Sequence, residues 1–186
     1  MFFLRKSKEE PLPVAMSGVR MGERVLQIGI DDPGVAGILA AKVGLSGHAA
    51  MALTGEPAAL KARAVAAKVG ALVDVHVTPL DSLPFDDSAF DVVVVHGLGG
   101  LLSSLESGTR VAALREAARV LRSGGRIVIV ESGPAGGIGS LVRPQRIDKA
   151  YVESGGAAAA LTTAGFRASR VLAERDGYRF SEAMKG

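Results

Sequence analysis

The stretch FDVVVVH, residues 90–96, constrains this chain more than any other. Four consecutive valines give the strand they form no polar side, so both of its faces must be covered. Such a strand belongs inside a parallel sheet with helices above and below. The rest of the sequence supplies the units for one. Strands are expected at 24–30, 49–54 and 72–78, with helices at 34–43 and 57–69 between them. A helix over 108–121 carries Val111, Leu114, Ala118 and Leu121 on one face. Ser123-Gly124-Gly125 reads as its stop, because glycine permits a left-handed cap. RIVIVE at 126–131 is a fifth strand, and a glycine-rich loop follows at 133–139. A helix is expected within 149–164. The segments 168–174 and 178–183 read as an antiparallel pair turning at Asp176-Gly177. The alternation implies one doubly wound α/β domain over 24–186, behind an N-terminal segment at 1–23.

Composition limits what such a domain can do. Hydrophobic residues make up 48% of 186, but aromatics only 4% with no Trp, so the core must rest on Val, Leu, Ile and Ala. The net charge of +3 is scattered and forms no Lys/Arg block. With few aromatics for stacking, this argues against a nucleic-acid partner. No cysteine is present, which excludes disulfides and thiolate chemistry and fits a cytoplasmic setting. His48, His76 and His96 lie far apart, and no metal site is expected. Every apolar run is too short and too interrupted for a membrane-spanning helix. The order apolar then basic at 1–6 reverses that of a signal peptide and reads as a docked or frayed terminus.

The turn after the first strand, RVLQIGIDDPG, carries the main functional question. Gly29 ends the strand, and Asp32-Pro33 makes a good helix start, which accounts for the paired acids as capping. Gly29 and Gly34 fit the outer glycines of a dinucleotide turn. Asp31, however, takes the middle position, where the backbone must meet a pyrophosphate, and no acid closes the second strand. A nicotinamide cofactor is therefore not expected. His96 stands just past the fourth strand, where a neutral imidazole could take a proton from a substrate; the alternative is a strand-end residue bonded to a neighbouring backbone group. Ser103 and Ser104, after GLGGLL, do not form a hydrolase elbow.

Taken in order, VLQIG, LPFDDSAFDVVVV, LREAARVLRSGGRIVIVE and LTTAGF resemble class I S-adenosylmethionine-dependent methyltransferases, especially methyltransferase type 11. The resemblance spans residues 24–166. It implies a Rossmann-like, mostly parallel seven-stranded sheet whose last strand is antiparallel, with the ligand crevice at the carboxyl ends of the first strands. Three acids that the family uses are replaced here. Gln27 stands two before Gly29, and Asp31 and its neighbours take the place of further glycines. Leu53, with Thr54 beside it, holds the position of the ribose acid. Pro79 holds that of the adenine contact, with Leu80 and Asp81 close by. GLGG also replaces a segment where the family often carries histidines.

A carboxylate accepting both ribose hydroxyls makes bonds worth roughly 1.5–3 kcal/mol each, and leucine can make none. The expected cofactor contacts are thus Gln27, Gly29, Asp31, Leu53, Thr54, Leu80 and Asp81, partly through main-chain groups, with His96 toward the substrate. Asp31 could pair with the sulfonium or amino group of S-adenosylmethionine, or repel its carboxylate. Two functions follow: a methyltransferase acting on a small molecule through an altered pocket, or a non-catalytic scaffold that binds a protein partner.

Overall fold

The computed structural model describes residues 10–133 and 148–186. The segment 1–6 and, beyond Gly133, the glycine-rich loop lie outside the described residues. In chain order the elements are α1 (Leu12–Ser17), β1 (Arg24–Ile28), α2 (Pro33–Lys42), β2 (His48–Leu53), α3 (Glu56–Val69), β3 (Asp74–Val77), β4 (Phe90–His96), α4 (Ser107–Val120), β5 (Leu121–Ser132), α5 (Lys149–Glu153), α6 (Gly156–Thr163), β6 (Arg167–Arg175) and β7 (Tyr178–Met184). The strands form one seven-stranded sheet in the order β3-β2-β1-β4-β5-β7-β6. The first five pair in parallel, and β7 runs antiparallel to both β5 and β6.

The four valines of β4 explain the layering. Val92 and Val94 pack with Val35, Leu39, Ala59 and Ala62 from α2 and α3. Val93 and Val95 pack with Leu114, Ala117 and Leu161 from α4 and α6 on the opposite face. All four are at most 1% exposed, so the strand is covered on both sides as its composition requires. Alanine fills both helix layers, and its small side chain lets helices lie close to the sheet.

Three expectations need correction. The glycines at 124–125 do not stop a helix. Helix α4 ends at Val120 because Leu121 is already extended, at φ −72° and ψ 141°, and opens β5. Ser123-Gly124-Gly125 instead forms an irregularity in β5, where pairing with β4 passes from Phe90↔Leu121 to Val92↔Arg126. A Cβ on Gly125 would come 2.8 Å from the Arg122 carbonyl oxygen, so the folded-back strand has no room for a side chain. The helix expected within 149–164 is two short ones, because Gly155 and Gly156 both take positive φ. The first and third strands are shorter than their apolar runs suggest: Gly29 turns the chain at φ +79°, and Leu72 lies exposed before β3 begins.

The specific motifs prove to be clamps. Arg119 of α4 donates to the carbonyl oxygens of Leu83 (3.0 Å) and Phe85 (2.8 Å) and to the Asp87 carboxylate (2.7 Å). Glu116, one turn earlier, accepts from Arg119 and from the Leu83 N–H at 3.0 Å. LPFDD and LREAARVLR are therefore two halves of one hydrogen-bonded loop anchor. At the opposite end of the sheet from the strand tips, burial alone would raise the Asp91 pKa. The Arg24 N–H and the guanidinium groups of Arg122 and Arg24 outweigh that and hold it at about 2.

Removing the Arg119 side chain strands two loop carbonyls and leaves the carboxylates of Asp87 and Glu116 without their partner. Arg119→Ala is expected to lower unfolding free energy by about 2–3 kcal/mol in urea titration. Arg119→Lys should recover little, because an ammonium group cannot reproduce the fork. A loss below about 0.5 kcal/mol would contradict the clamp.

Candidate functional site

In this sheet the connections from β1 lead to β2 on one side, while β4 lies on the other. The chain thus reverses direction across β1 and β4, and a crevice is expected outside their carboxyl ends. Gly29 sits at that point. Its N–H donates to the Ala52 carbonyl at 2.9 Å, and its positive φ aims the backbone out of the strand. A Cβ here would lie 2.8 Å from Leu101 Cδ2 and 3.2 Å from the His96 carbonyl oxygen. The close approach that glycine permits is taken up by a leucine of the same chain.

The paired acids have separate roles. Asp32 caps α2, its Oδ1 accepting from Gly34 N–H (2.8 Å) and Val35 N–H (3.2 Å), with Pro33 in the first turn. Asp31 takes no part in the cap. Its Oδ2 accepts from the Leu98 N–H at 2.6 Å and its Oδ1 from the Gly99 N–H at 3.0 Å. A Cβ on Gly99 would stand 2.9 Å from that same Oδ1. The loop after β1 is thereby tied to the loop after β4.

Beneath this bridge, Gln27 and His96 meet across the β1–β4 pair. Gln27 is fully buried, and its Nε2 donates to the Ala36 carbonyl at 3.0 Å. Its Oε1 therefore faces His96 Nε2 at 2.9 Å, which assigns the hydrogen to Nε2 and leaves Nδ1 as the basic atom. Burial lowers the His96 pKa from 6.5 to about 4 despite the nearby carboxylates of Asp31 and Asp32, so the imidazole is neutral at pH 7. His96 is a strand-end residue bonded to a neighbour, as one expectation had it, but the partner is a side chain.

The other expected positions are more dispersed. Leu53 ends β2 with its side chain in the core, and its carbonyl already accepts from the Thr78 N–H at 2.9 Å. Leu80 is buried on the opposite face of the sheet. Thr54 and Asp81 are exposed, and Asp81 makes no hydrogen bond or ion pair among the described residues.

Sequence reasoning missed a buried polar cluster beside the bridge. Glu131, near the end of β5, accepts from the Tyr151 hydroxyl at 2.7 Å. The Arg110 guanidinium stacks on the Tyr151 ring at 4.3 Å and holds the loop after β4 by donating to the carbonyls of Leu102 and Leu105. Burial pushes the Glu131 pKa up, against the pull of Tyr151, Arg179 and Arg110. A Cβ on Gly97 would come 3.0 Å from Glu131 Cγ, so this acid adjoins the chain just after His96. Only Glu131 carried a legible hint, as a charge closing an apolar strand; Tyr151 and Arg110 have no local signature.

Residues 32–129, more than half of the chain, match the family model described as "Methyltransferase domain". No curated protein matches the sequence. Among solved structures, a SAM-dependent methyltransferase from Aquifex aeolicus superposes with a TM-score of 0.73 at 20% identity, covering 93% of this chain and 87% of that one. A second SAM-dependent methyltransferase, from Methanosarcina mazei, gives 0.63 at 20% identity over 93% and 97%. The complex of the Haloferax volcanii Trm112 methyltransferase activator with a methyltransferase gives 0.61 at 18% identity over 93% and 87%. At these identities the likeness is one of fold.

S-adenosylmethionine, the cofactor of this family, fits one half of the crevice. The resemblance puts ribose beyond β2 and adenine beyond β3, so the sheet order carries the remaining, amino-acid end toward β1 and β4. On that placement the adenosyl end would face Thr54 and the open carboxylate of Asp81, which can accept from an exocyclic amine. The amino-acid end would face Leu101 on Gly29 and an Asp31 whose oxygens are both engaged. In this arrangement the residues do not admit that end.

The His96 environment has a pH signature. Its folded pKa lies below the ordinary 6.5, so the unfolded chain binds the proton first, and stability falls as pH drops from 6.5 toward about 4. The full shift corresponds to about 3 kcal/mol. Urea midpoints are expected to fall over this window in wild type and to flatten in His96→Gln. Gln27→Glu places a carboxylate on Nε2 and is expected to raise the His96 pKa by more than one unit in an NMR titration. An unchanged value would refute the Gln27–His96 pairing.

Proposed function

The chain belongs to the methyltransferase-domain family, and on that premise we propose that it is an S-adenosylmethionine-dependent methyltransferase acting on a small molecule through an altered pocket. The observation that carries this reading is His96. It is a neutral base at the tip of β4, held in one tautomer by Gln27 and lying near the carboxylates of Asp31 and Asp32. When bound, S-adenosylmethionine supplies an electrophilic methyl group. The chain's own residues have the remaining tasks. Nδ1 of His96 can take the proton of a substrate hydroxyl or amine, and Gln27 keeps that atom unprotonated by fixing the hydrogen on Nε2. Glu131 and Tyr151 form a buried hydrogen-bonded pair on the α4/α6 side of the sheet that steadies the turn after β4. Thr54, Asp81 and the main chain at Leu53 and Leu80 line the approach of the adenosyl group, and Gly29 lies toward the amino-acid end. Alignment and exclusion of water are the protein's main contributions in such a displacement.

A second reading has its own support. Leucine stands where a ribose acid is usual, and the strand tips are bridged by the chain itself. Both are compatible with a scaffold that serves as a binding or assembly subunit. The Haloferax volcanii methyltransferase is seen with an activator protein. A protein partner is the occupant that this reading implies, and a small-molecule substrate that of the first.

Isothermal titration with S-adenosylmethionine and with its demethylated product separates them. The enzyme reading expects saturable binding of both. Absence of heat at millimolar ligand would end it and leave the scaffold reading.

A further inference from the structure

The two places where the sequence departs most from its family, DDPG after β1 and GLGG after β4, touch each other. Asp31 stands where further glycines are usual and spends its carboxylate on two consecutive backbone N–H groups, those of Leu98 and Gly99. The partner turn is built to receive it. Gly99 has no side chain because one would collide with Asp31 Oδ1, and Gly97 has none because Glu131 and the Val130 carbonyl leave no space. Two residues further on, the same turn lays Leu101 into the hollow over Gly29. Arg110 then fixes the far end of the loop through the Leu102, Ser103 and Leu105 carbonyls. One departure alone would be a loss of ligand contact. Together they form a matched pair.

We propose that Asp31 latches the turn 97–101 across the crevice, with Leu101 as its plug, so that the amino-acid end of a cofactor enters only when the latch opens. This rests on the reading of the site as one for an adenosyl cofactor. The latch acts on one half of the ligand. The ribose and adenine positions beyond β2 and β3 lie on the other side of β1 and do not involve Leu98, Gly99 or Leu101. A nucleoside that lacks the amino-acid end is therefore accepted by the closed chain. S-adenosylmethionine must first break two charge-assisted bonds and expel a leucine side chain. Its apparent affinity is reduced by the fraction of time the latch stands open.

The direct probe compares two ligands on three proteins by titration calorimetry. S-adenosylmethionine and 5′-methylthioadenosine share nucleoside and sulfur and differ in the amino-acid end. Asp31→Ala removes the acceptor, and Leu101→Ala empties the hollow over Gly29 while leaving the hydrogen bonds in place. Each variant is expected to bind S-adenosylmethionine about tenfold more tightly than wild type, with 5′-methylthioadenosine changed less than about twofold. Equal or weaker S-adenosylmethionine binding in both variants, with wild type binding well, would overturn the latch and leave the proposed function standing. No binding of either ligand to any of the three proteins would overturn the adenosyl site itself, and the latch with it. Thermal melts of the variants show whether each is folded, and with either one folded the comparison stands.

Discussion

Parallel pairing of β1 with β4 at the centre of the sheet is the constraint from which the site follows. It sets Val25 against Val92 and Ile28 against Val95, so both strands end on one edge and the loops that leave them are neighbours. Three contacts depend on that register: Gln27 with His96 inside the sheet, Gly29 with Leu101 at the edge, and Asp31 with Leu98 and Gly99 above it. Slipping the register by one residue would turn Gln27 to the opposite face and separate every pair. The residues flanking the valines oppose such a slip, because Asp91 accepts from the Arg24 N–H at one end of the pair and His96 meets Gln27 at the other.

The three contacts divide the tasks of the strand tips. The Gln27–His96 bond settles protonation: a carboxamide in place of an acid leaves the imidazole neutral and names its basic atom. The Asp31 bridge settles access. Glu131, Tyr151 and Arg110 form a buried cluster that anchors the loop after β4 from the other face of the sheet.

Much of the architecture was legible in the sequence. Period and composition revealed the alternation of strands and helices, and Asp32-Pro33 was readable as a helix start because capping acts within three residues. The break at Gly155-Gly156 and the irregularity in β5 were not readable, since a glycine pair serves a helix stop, a bulge or a turn equally well until the neighbouring strand is known. The site was legible in part. Gln27, Gly29 and His96 lie at strand tips that hydropathy could mark. The partner of Asp31 was hidden, because its contacts with Leu98 and Gly99 span 67 and 68 residues and go to backbone N–H groups that leave no trace in side-chain chemistry. Asp31 read as half of a cap for the same reason.

The chain's own side chains close the end of the crevice next to β4. Crystal structures of the protein alone and after soaking in S-adenosylmethionine test it most directly. The expected result is Asp31 bonded to Leu98 and Gly99, with Leu101 on Gly29, in the free protein, and both contacts broken wherever the whole cofactor is seen. Density for the complete cofactor beside an intact Asp31 bridge would contradict it.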